Sequence, residues 1–512
     1  MSGKVEPVEF AANNGNSPQS WTIWYSTLAA PLNPADVRKE HRAILLGLPL
    51  AILALNLYAP AQPDLLERLL ASLLIIVAFV PAWRWRSGSD VSTPLLPLVA
   101  LLYGIYCSLP IFTLPLYSVA RDPYENMPSS DVEYALALSI LGMVAMFAGY
   151  YSRPTKAVAR SIPKVALGWR QPRTVLHVGV ALAFTGFVVR VFAYRYFVFN
   201  TNPYWAINGQ VQQLFGLLVQ TAFIGLTILY VMHLCGYLSP MLTRFMNIIL
   251  IPFLILFGIS TGTITQALNV VLLLVFIYAM FNRRLPWKVM ALGLAAITIL
   301  QPAKTLFRMM DHGDAKSLND GIMERVEDFL SISLDVIAGR ATLEMDPVTF
   351  SAHRLNLVTM FAEVVDKTPS TIPFWYGHTY YPLLTKPIPR LLYPDKRPDD
   401  AGQSFPHRYE MLSDNDSTTS VKLFQLIEAY VNFGVPGIII IMFIIGAIYR
   451  LVEAMFVHGS MGIGDVVCLT CVVTPWLDIE ANFSLTFGGF FDEVIFIAII
   501  GVVVAMLGTV LG

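Results

Sequence analysis

Charged side chains are scarce in this chain, and hydrophobic ones are abundant. Of its 512 residues, 13% are charged and 55% are hydrophobic, whereas soluble globular proteins carry about 25% charged residues. A soluble core cannot absorb that surplus of apolar side chains, because a folded domain still exposes much of its surface. The composition excludes a water-soluble enzyme, a disordered protein and a nucleic-acid binder, and it predicts a polytopic membrane protein.

Cysteine is also scarce, with four residues in the whole chain, which excludes a disulfide scaffold. The pair Cys468 and Cys471 has no second pair to complete a metal site, so we interpret it as apolar packing. The sequence contains no Gly-x4-Gly-Lys-[Ser/Thr] phosphate loop. The net charge of −1 gives no reason to expect a polyanionic partner. No cofactor and no metal ion is predicted.

Long apolar runs recur along most of the sequence. A membrane helix needs about 20 mostly apolar residues, because lipid cannot satisfy backbone polar groups. Twelve segments meet this description: 43–61, 69–85, 94–117, 133–151, 174–194, 213–236, 244–259, 263–281, 287–303, 426–449, 463–480 and 490–510. The fold class expected is therefore an all-α polytopic membrane protein of about 12 transmembrane helices.

The basic residues near the span ends predict the orientation. With the N-terminus inside, the inner segments carry 17 Lys and Arg, and the short outer loops carry four. This asymmetry follows the positive-inside rule. It places residues 1–42 as a cytoplasmic tail, 43–303 as spans one to nine, 304–425 as a large external loop and 426–512 as the last three spans, with both termini cytoplasmic.

The external loop has two kinds of sequence. Apolar residues recur at helical spacing over 321–341 and 349–367, which predicts two helices there. Residues 373–408 contain seven Pro and seven aromatic residues, so this stretch is expected to be irregular. We expect the loop to pack over the mouth of the spans.

The loop has the side chains needed to bind a phosphorylated glycan. Arg side chains match phosphate oxygens with two parallel hydrogen bonds. Candidate phosphate ligands are Arg354, Arg390 and Arg408, with Lys396, Arg397 and Arg308 as weaker candidates. Tyr376 and Tyr380 offer stacking faces for sugar rings. Candidate bases are His378, whose ordinary pKa suits proton transfer, and Glu428, an acid at the start of a span.

Three further features allow two interpretations each. Arg190 ends the fifth span as an interfacial anchor or a phosphate contact. Lys304 and Arg308 share a helix face at the mouth of the loop and bind phosphate or anchor the helix. The acidic pairs at 478 and 480 and at 492 and 493 either bind a metal ion or face the basic loop or solvent.

Several short motifs follow one another over residues 354–434. They are Arg354, Thr368-Pro369, Tyr376-Gly-His-Thr-Tyr380, Pro387-Ile-Pro-Arg390-Leu-Leu-Tyr-Pro394-Asp-Lys396-Arg-Pro398 and Glu428-Ala-Tyr-Val-Asn-Phe-Gly434. Together they resemble the Wzy-type O-antigen and oligosaccharide repeat-unit polymerases of bacterial envelopes. Many members carry an Arg after a Gly-Ser near the turn at 258–262, and this chain has none.

This resemblance implies a membrane glycosyltransferase of GT-C-like architecture in the bacterial inner membrane, with its large loop in the periplasm. The implied reaction joins oligosaccharide repeat units carried on undecaprenyl diphosphate, which is the leaving group. Membrane lipid, a chain-length regulator and a flippase are the implied partners, and no nucleic acid takes part.

Two other functions fit parts of the same sequence. An O-antigen ligase uses the same donor and also has a large external loop. A secondary transporter or flippase of lipid-linked glycans would have a similar number of spans, but it usually places broken helices or charges at mid-membrane. Here the charges gather at the external face, which favours chemistry at the surface.

Overall fold

Helices account for most of the computed structural model. It describes residues 34–59, 63–87, 93–113, 128–165, 167, 169, 171–192, 209–260, 264–313, 322–338, 340, 356–388, 392–393, 395, 399–415, 420–457 and 461–511. Among these residues there is no β-strand. An all-α fold is what long apolar runs give, since a helix satisfies its own backbone hydrogen bonds.

We number the α-helices in chain order. They are α1 (Pro34–Tyr58), α2 (Leu65–Arg86), α3 (Leu95–Thr113), α4 (Ser129–Tyr151), α5 (Arg153–Ser161), α6 (Pro172–Phe192), α7 (Gly209–Leu234), α8 (Pro240–Ser260), α9 (Ile264–Asn282), α10 (Trp287–Gly313), α11 (Ile322–Ile337), α12 (Leu357–Lys367), α13 (Ala401–Arg408), α14 (Gln425–Phe456), α15 (Ile463–Val473) and α16 (Phe483–Leu511). Helix α8 contains a π-helical turn at Met246–Leu250. Two 3₁₀ helices span His378–Leu384 and Thr474–Leu477.

A helix lies at each of the twelve predicted spans. Within the described residues, nine helices are long and apolar enough to cross a membrane, by length and composition. They correspond to the first seven predicted spans, the tenth and the twelfth. The apolar parts of α9, α10 and α15 are shorter, so the count of twelve stays a prediction.

The closest packing in the bundle is between α4 and α14. Gly149 and Gly446 lie where the two helices meet. A Cβ atom built on Gly446 would be 1.9 Å from the Met146 carbonyl oxygen, and one on Gly149 would be 1.9 Å from that of Phe443. Small residues at such positions let helix backbones approach closely in membrane proteins.

Two loop helices are attached to this bundle. Helix α12 packs on α4 and α3, and α11 packs on α10 and α8. The prediction of a helix over 321–341 is confirmed by α11. The prediction for 349–367 is confirmed from Leu357 onward, because 349–355 lie outside the described residues.

The expectation that all of 373–408 is irregular is wrong, because α13 and the 3₁₀ helix His378–Leu384 lie within it. Pro406 is inside α13 and cannot donate to the carbonyl of Gly402. That carbonyl accepts a hydrogen bond from the Val421 amide instead, at 2.9 Å. A contact from a distant segment therefore satisfies the group that proline leaves open.

Helix boundaries also differ from the prediction at three spans. Helix α10 continues to Gly313, so the first part of the expected loop is helical. Helix α14 continues to Phe456, and α16 begins at Phe483 rather than near 490. Hydropathy marks the apolar centre of a helix, whereas polar turns at either end extend it.

Candidate functional site

Helix α14 is interrupted near its start, where it meets the large loop. Gly434 has φ 63° and ψ −148° inside the helix, a backbone conformation that glycine adopts without the strain of a side chain. Pro436 follows and has no N–H to donate to the carbonyl of Asn432. The break leaves helix carbonyls open at the face that meets the loop.

The loop segment 375–377 fills this break. The amide of Trp375 donates to the Val431 carbonyl at 2.9 Å, and that of Tyr376 donates to the Asn432 carbonyl at 3.1 Å. Tyr376 and Gly377 have φ values of 49° and 92°, which turn the chain sharply over the helix. The break in α14 is thus a docking point for the loop.

Asn432 fixes this docking with its side chain. Its Oδ1 accepts from the Gly377 amide at 2.9 Å, and its Nδ2 donates to the Thr379 hydroxyl at 2.8 Å. The same Nδ2 donates to the Glu428 carbonyl at 2.8 Å, one turn earlier. Glu428 and Asn432 are four residues apart on one helix face, and the structure uses this face to hold the loop.

Glu428 holds the start of α16. The residue is 0% exposed, and its Oε2 accepts a hydrogen bond from the Phe483 amide at 2.7 Å. Amides in the first turn of a helix lack helical partners, and a carboxylate there also interacts favourably with the helix dipole. This geometry suits a positioning role, and the role of Glu428 as a base stays a prediction.

Ion pairs join the loop to the ends of the last helices. Lys422 lies 3.1 Å from the Asp478 carboxylate and 3.3 Å from that of Glu480, and the Tyr106 hydroxyl donates to Glu480. Lys386 pairs with Asp399 at 3.1 Å, and the Asn482 amide donates to the same carboxylate. Of the two interpretations of 478 and 480, the structure shows a pairing with the basic loop.

Beside these ion pairs is a cavity of about 530 Å³. Its walls come from the end of α6, the middle of α7, the start of α9, the end of α15 with the turn after it, the start of α16 and loop residues 402, 420, 422 and 423. The loop residues in this lining place the cavity on the loop side of the bundle.

Arg190 lines this cavity and is 2% exposed. Its Nη1 donates to the Val219 carbonyl at 2.6 Å, and its guanidinium lies 5.0 Å from the centre of the Phe223 ring. No carboxylate within the described residues forms an ion pair with it. A buried charge costs several kcal/mol unless it is paired, which makes Arg190 a candidate to bind an anion.

The predicted loop residues that the structure describes, Tyr376, His378, Tyr380 and Arg408, are not among the residues that line the cavity. Tyr376 is 73% exposed, and His378 is exposed with its ring 6.0 Å from that of Trp375. The Tyr380 hydroxyl is enclosed and has no hydrogen-bond partner in the described part of the chain. Burial, and then the nearby Glu428, raises the pKa of Tyr380 well above its ordinary value.

Arg408 shapes the loop in this structure. It donates to the Pro373 carbonyl at 2.6 Å, and its guanidinium lies 5.2 Å from the centre of the Trp375 ring. Arg354, Arg390, Lys396 and Arg397 lie outside the described residues, as does the side chain of Arg308 in α10. Their roles as ligands stay predictions.

Sequence reasoning gave a functional and a structural interpretation to two cavity residues and did not place them among the main site residues. Arg190 was one of several arginines at span ends, and Glu493 was one of two adjacent acids. The sequence signal was available, since each is an ionisable residue at the edge of an apolar run. Their convergence on one cavity depends on helices that are far apart in the chain.

Comparison with known proteins gives one match. The model of a family described as Domain of unknown function (DUF8712) matches residues 181–478, more than half of the chain. The matched segment includes Arg190, Lys422 and Glu428. A search of curated proteins and a search of solved structures each gave no match.

Proposed function

We propose that this chain, which belongs to the DUF8712 family, is a membrane glycosyltransferase that polymerises lipid-diphosphate-linked glycan repeat units. The observation that carries the proposal is Arg190, a buried guanidinium without an acidic partner among the described residues, in the wall of a cavity on the loop side. Such a group favours an anionic ligand at the apolar bundle. A diphosphate on a polyprenyl carrier is an anion of that kind.

The surroundings of the cavity support an amphipathic substrate. Lipid-facing apolar helices can hold a prenyl tail, while the cavity offers polar groups at the loop side. Exposed aromatic side chains of the loop, Tyr376 and Tyr381 among them, offer faces for sugar rings. The motifs that resemble repeat-unit polymerases lie in this same loop and in the first turns of α14.

The proposal includes a topology. Twelve spans cross the inner membrane of a bacterium, both termini are cytoplasmic, and the loop lies in the periplasm. The positive-inside count supports this orientation. A chain-length regulator and a flippase are the partners that the function implies.

The reaction is a substitution at the anomeric carbon of the donor glycan. The bond from C1 to the diphosphate oxygen breaks, and its electron pair stays on the diphosphate. A hydroxyl oxygen of the acceptor glycan forms the new bond to C1 and loses its proton to a base. Negative charge grows on the diphosphate as it leaves, so a fixed guanidinium such as Arg190 would lower the barrier.

The break in α14 weighs against a transporter. Broken helices of transporters expose backbone carbonyls to a coupling ion. Here two such carbonyls, those of Val431 and Asn432, accept hydrogen bonds from loop amides.

The direct test is reconstitution. The purified protein in lipid vesicles would be incubated with undecaprenyl-diphosphate-linked oligosaccharide. This donor is extracted from a bacterial strain in which the protein has been deleted. We expect a ladder of polymer on gels and one undecaprenyl diphosphate released for each linkage. Absence of both products with folded protein would refute the function, whereas transfer to lipid A core alone would indicate a ligase.

Variants locate the site within that assay. Arg190→Lys keeps the charge but loses the fork geometry, and we expect the rate to fall by about 100-fold, the scale of losing one transition-state donor. Arg340→Lys is the matched control, because Arg340 is an exposed loop arginine paired with Asp335. The predicted diphosphate ligands are tested in the same assay by Arg354→Lys, Arg390→Lys and Arg408→Lys. The predicted bases are tested by Glu428→Gln and His378→Ala.

A further inference from the structure

Glu493 is an acidic side chain of the cavity, and no cation of the described residues forms an ion pair with it. The residue is 8% exposed and lines the cavity wall. Its Oε2 is buried and has no hydrogen-bond partner in the described part of the chain. Lys422, also in the lining, is already paired with Asp478 and Glu480. A buried carboxyl oxygen normally has a hydrogen-bond partner, and a bound ligand could supply the donor that Glu493 lacks.

The position of Glu493 on α16 directs it along the cavity. Asn482, Thr486, Gly489 and Glu493 all line the cavity, and their spacing of three or four puts them on one helix face. Helical side chains lean toward the N-terminus of their helix, so Glu493 lies over the turn of Gly489. Pro475 packs over Gly489, since a Cβ built there would lie 3.2 Å from the Pro475 side chain, and both residues line the cavity together with Glu493.

The other polar groups of the cavity are mostly uncharged. Its lining includes the amides and hydroxyls of Gln220, Thr227, Gln266, Asn269, Thr474 and Thr486. Amides and hydroxyls both donate and accept hydrogen bonds, as sugar hydroxyls do. The ring of Phe223 adds an aromatic surface to the same wall. This set matches a hydroxyl-rich ligand better than a second anion.

A metal ion fits this group of residues less well than a hydroxyl. Calcium takes six to eight oxygen ligands, and magnesium takes six in a strict octahedron. Two other carboxylates lie near Glu493. Asp492, the preceding residue of the helix, is exposed, and Asp478 forms an ion pair with Lys422. Within the described residues, no group of three or more His, Cys, Asp and Glu is arranged to hold a metal ion.

We propose that this cavity binds the glycan and that Glu493 accepts a hydrogen bond from one of its hydroxyl groups. Identifying that glycan as the repeat-unit oligosaccharide rests on the proposed function. In this arrangement Arg190 faces the diphosphate end of the substrate, and Glu493 recognises the sugar.

The test separates sugar binding from diphosphate binding. The probe is the free oligosaccharide released by mild acid from the lipid-linked glycans of the bacterium, so it carries no diphosphate. Binding to the purified protein in vesicles is measured for wild type, Glu493→Gln and the matched control Asp492→Asn. We expect Glu493→Gln to bind at least tenfold more weakly, equivalent to about 1.4 kcal/mol, with Asp492→Asn unchanged.

A second pair of variants guards against misfolding. Asn269→Ala removes a polar group from α9, on another wall of the cavity, and should also weaken the binding of the free oligosaccharide. Arg190→Lys should leave the binding of the free oligosaccharide unchanged and weaken the binding of the lipid-linked donor. Thermal melting of each variant checks that it is folded.

The outcomes are distinct. If wild type does not bind the free oligosaccharide, or if both Glu493→Gln and Asn269→Ala bind it as wild type does, the glycan site is wrong, whether or not polymer forms. If binding depends on Glu493 but reconstituted protein makes no polymer, the glycan site holds and the polymerase function is wrong.

Discussion

The docking of the loop on the break in α14 depends on Asn432, and Asn432→Ala is the sharpest test of this arrangement. The substitution removes the acceptor of the Gly377 amide and the donor to the Thr379 hydroxyl. Alanine favours helix, so α14 itself should persist. The amides of Trp375 and Tyr376 keep their backbone acceptors, so the loop should loosen rather than detach.

The size of the effect follows from the bonds lost. Each hydrogen bond contributes about 0.5–1.5 kcal/mol net, so losing two lowers the free energy of loop opening by about 1–3 kcal/mol. That corresponds to amide exchange about 5–150 times faster where exchange occurs through this opening. Hydrogen–deuterium exchange on peptides covering 374–384 measures it directly.

The control is Asn282→Ala at the end of α9. Asn282 is exposed, and its Nδ2 donates only within its own helix, to the Tyr278 carbonyl at 3.0 Å. It should leave exchange at 374–384 at the wild-type rate. Unchanged exchange in folded Asn432→Ala would show that this side chain does not hold the loop, and the account of the break would be wrong.

Three further predictions concern packing, topology and pH. Gly446→Ala places a Cβ 1.9 Å from the Met146 carbonyl oxygen, and this overpacking should cost about 1–3 kcal/mol of stability and lower the melting temperature. The control Gly47→Ala, whose Cβ would have no atom within 4 Å, should leave the melting temperature unchanged. A cysteine at the exposed Ser413 should react with an impermeant maleimide in intact spheroplasts, and labelling only after lysis would reverse the orientation. Burial raises the pKa of Tyr409 above its ordinary 10.0. The stabilisation from its protonated hydroxyl is therefore present below pH 10.0 and is lost as the pH rises through the raised pKa. In alkaline buffers the melting temperature of Tyr409→Phe should fall less than that of wild type, and an equal fall would refute the assignment.

Some of the predicted site residues lie together in the structure because they are close in sequence, and their roles stay predictions. Tyr376, His378 and Tyr380 lie in one turn, and Glu428 and Asn432 share one helix face, so motif spacing was enough to group them. Spacing could not show that Asn432 joins the two groups. That contact depends on the helix break at Gly434, which a run of apolar residues does not reveal.

The sequence by itself determined that the chain is helical and apolar enough for a membrane, because each helix satisfies its own backbone and needs only local composition. It also determined where most helices lie, from runs of hydrophobic residues. Only the tertiary structure decided that Arg190 from α6 and Glu493 from α16 line one cavity. It also decided that Lys422 forms ion pairs with Asp478 and Glu480. These are relations between segments up to 303 positions apart, and they are fixed by how helices pack against one another, which local pattern does not encode.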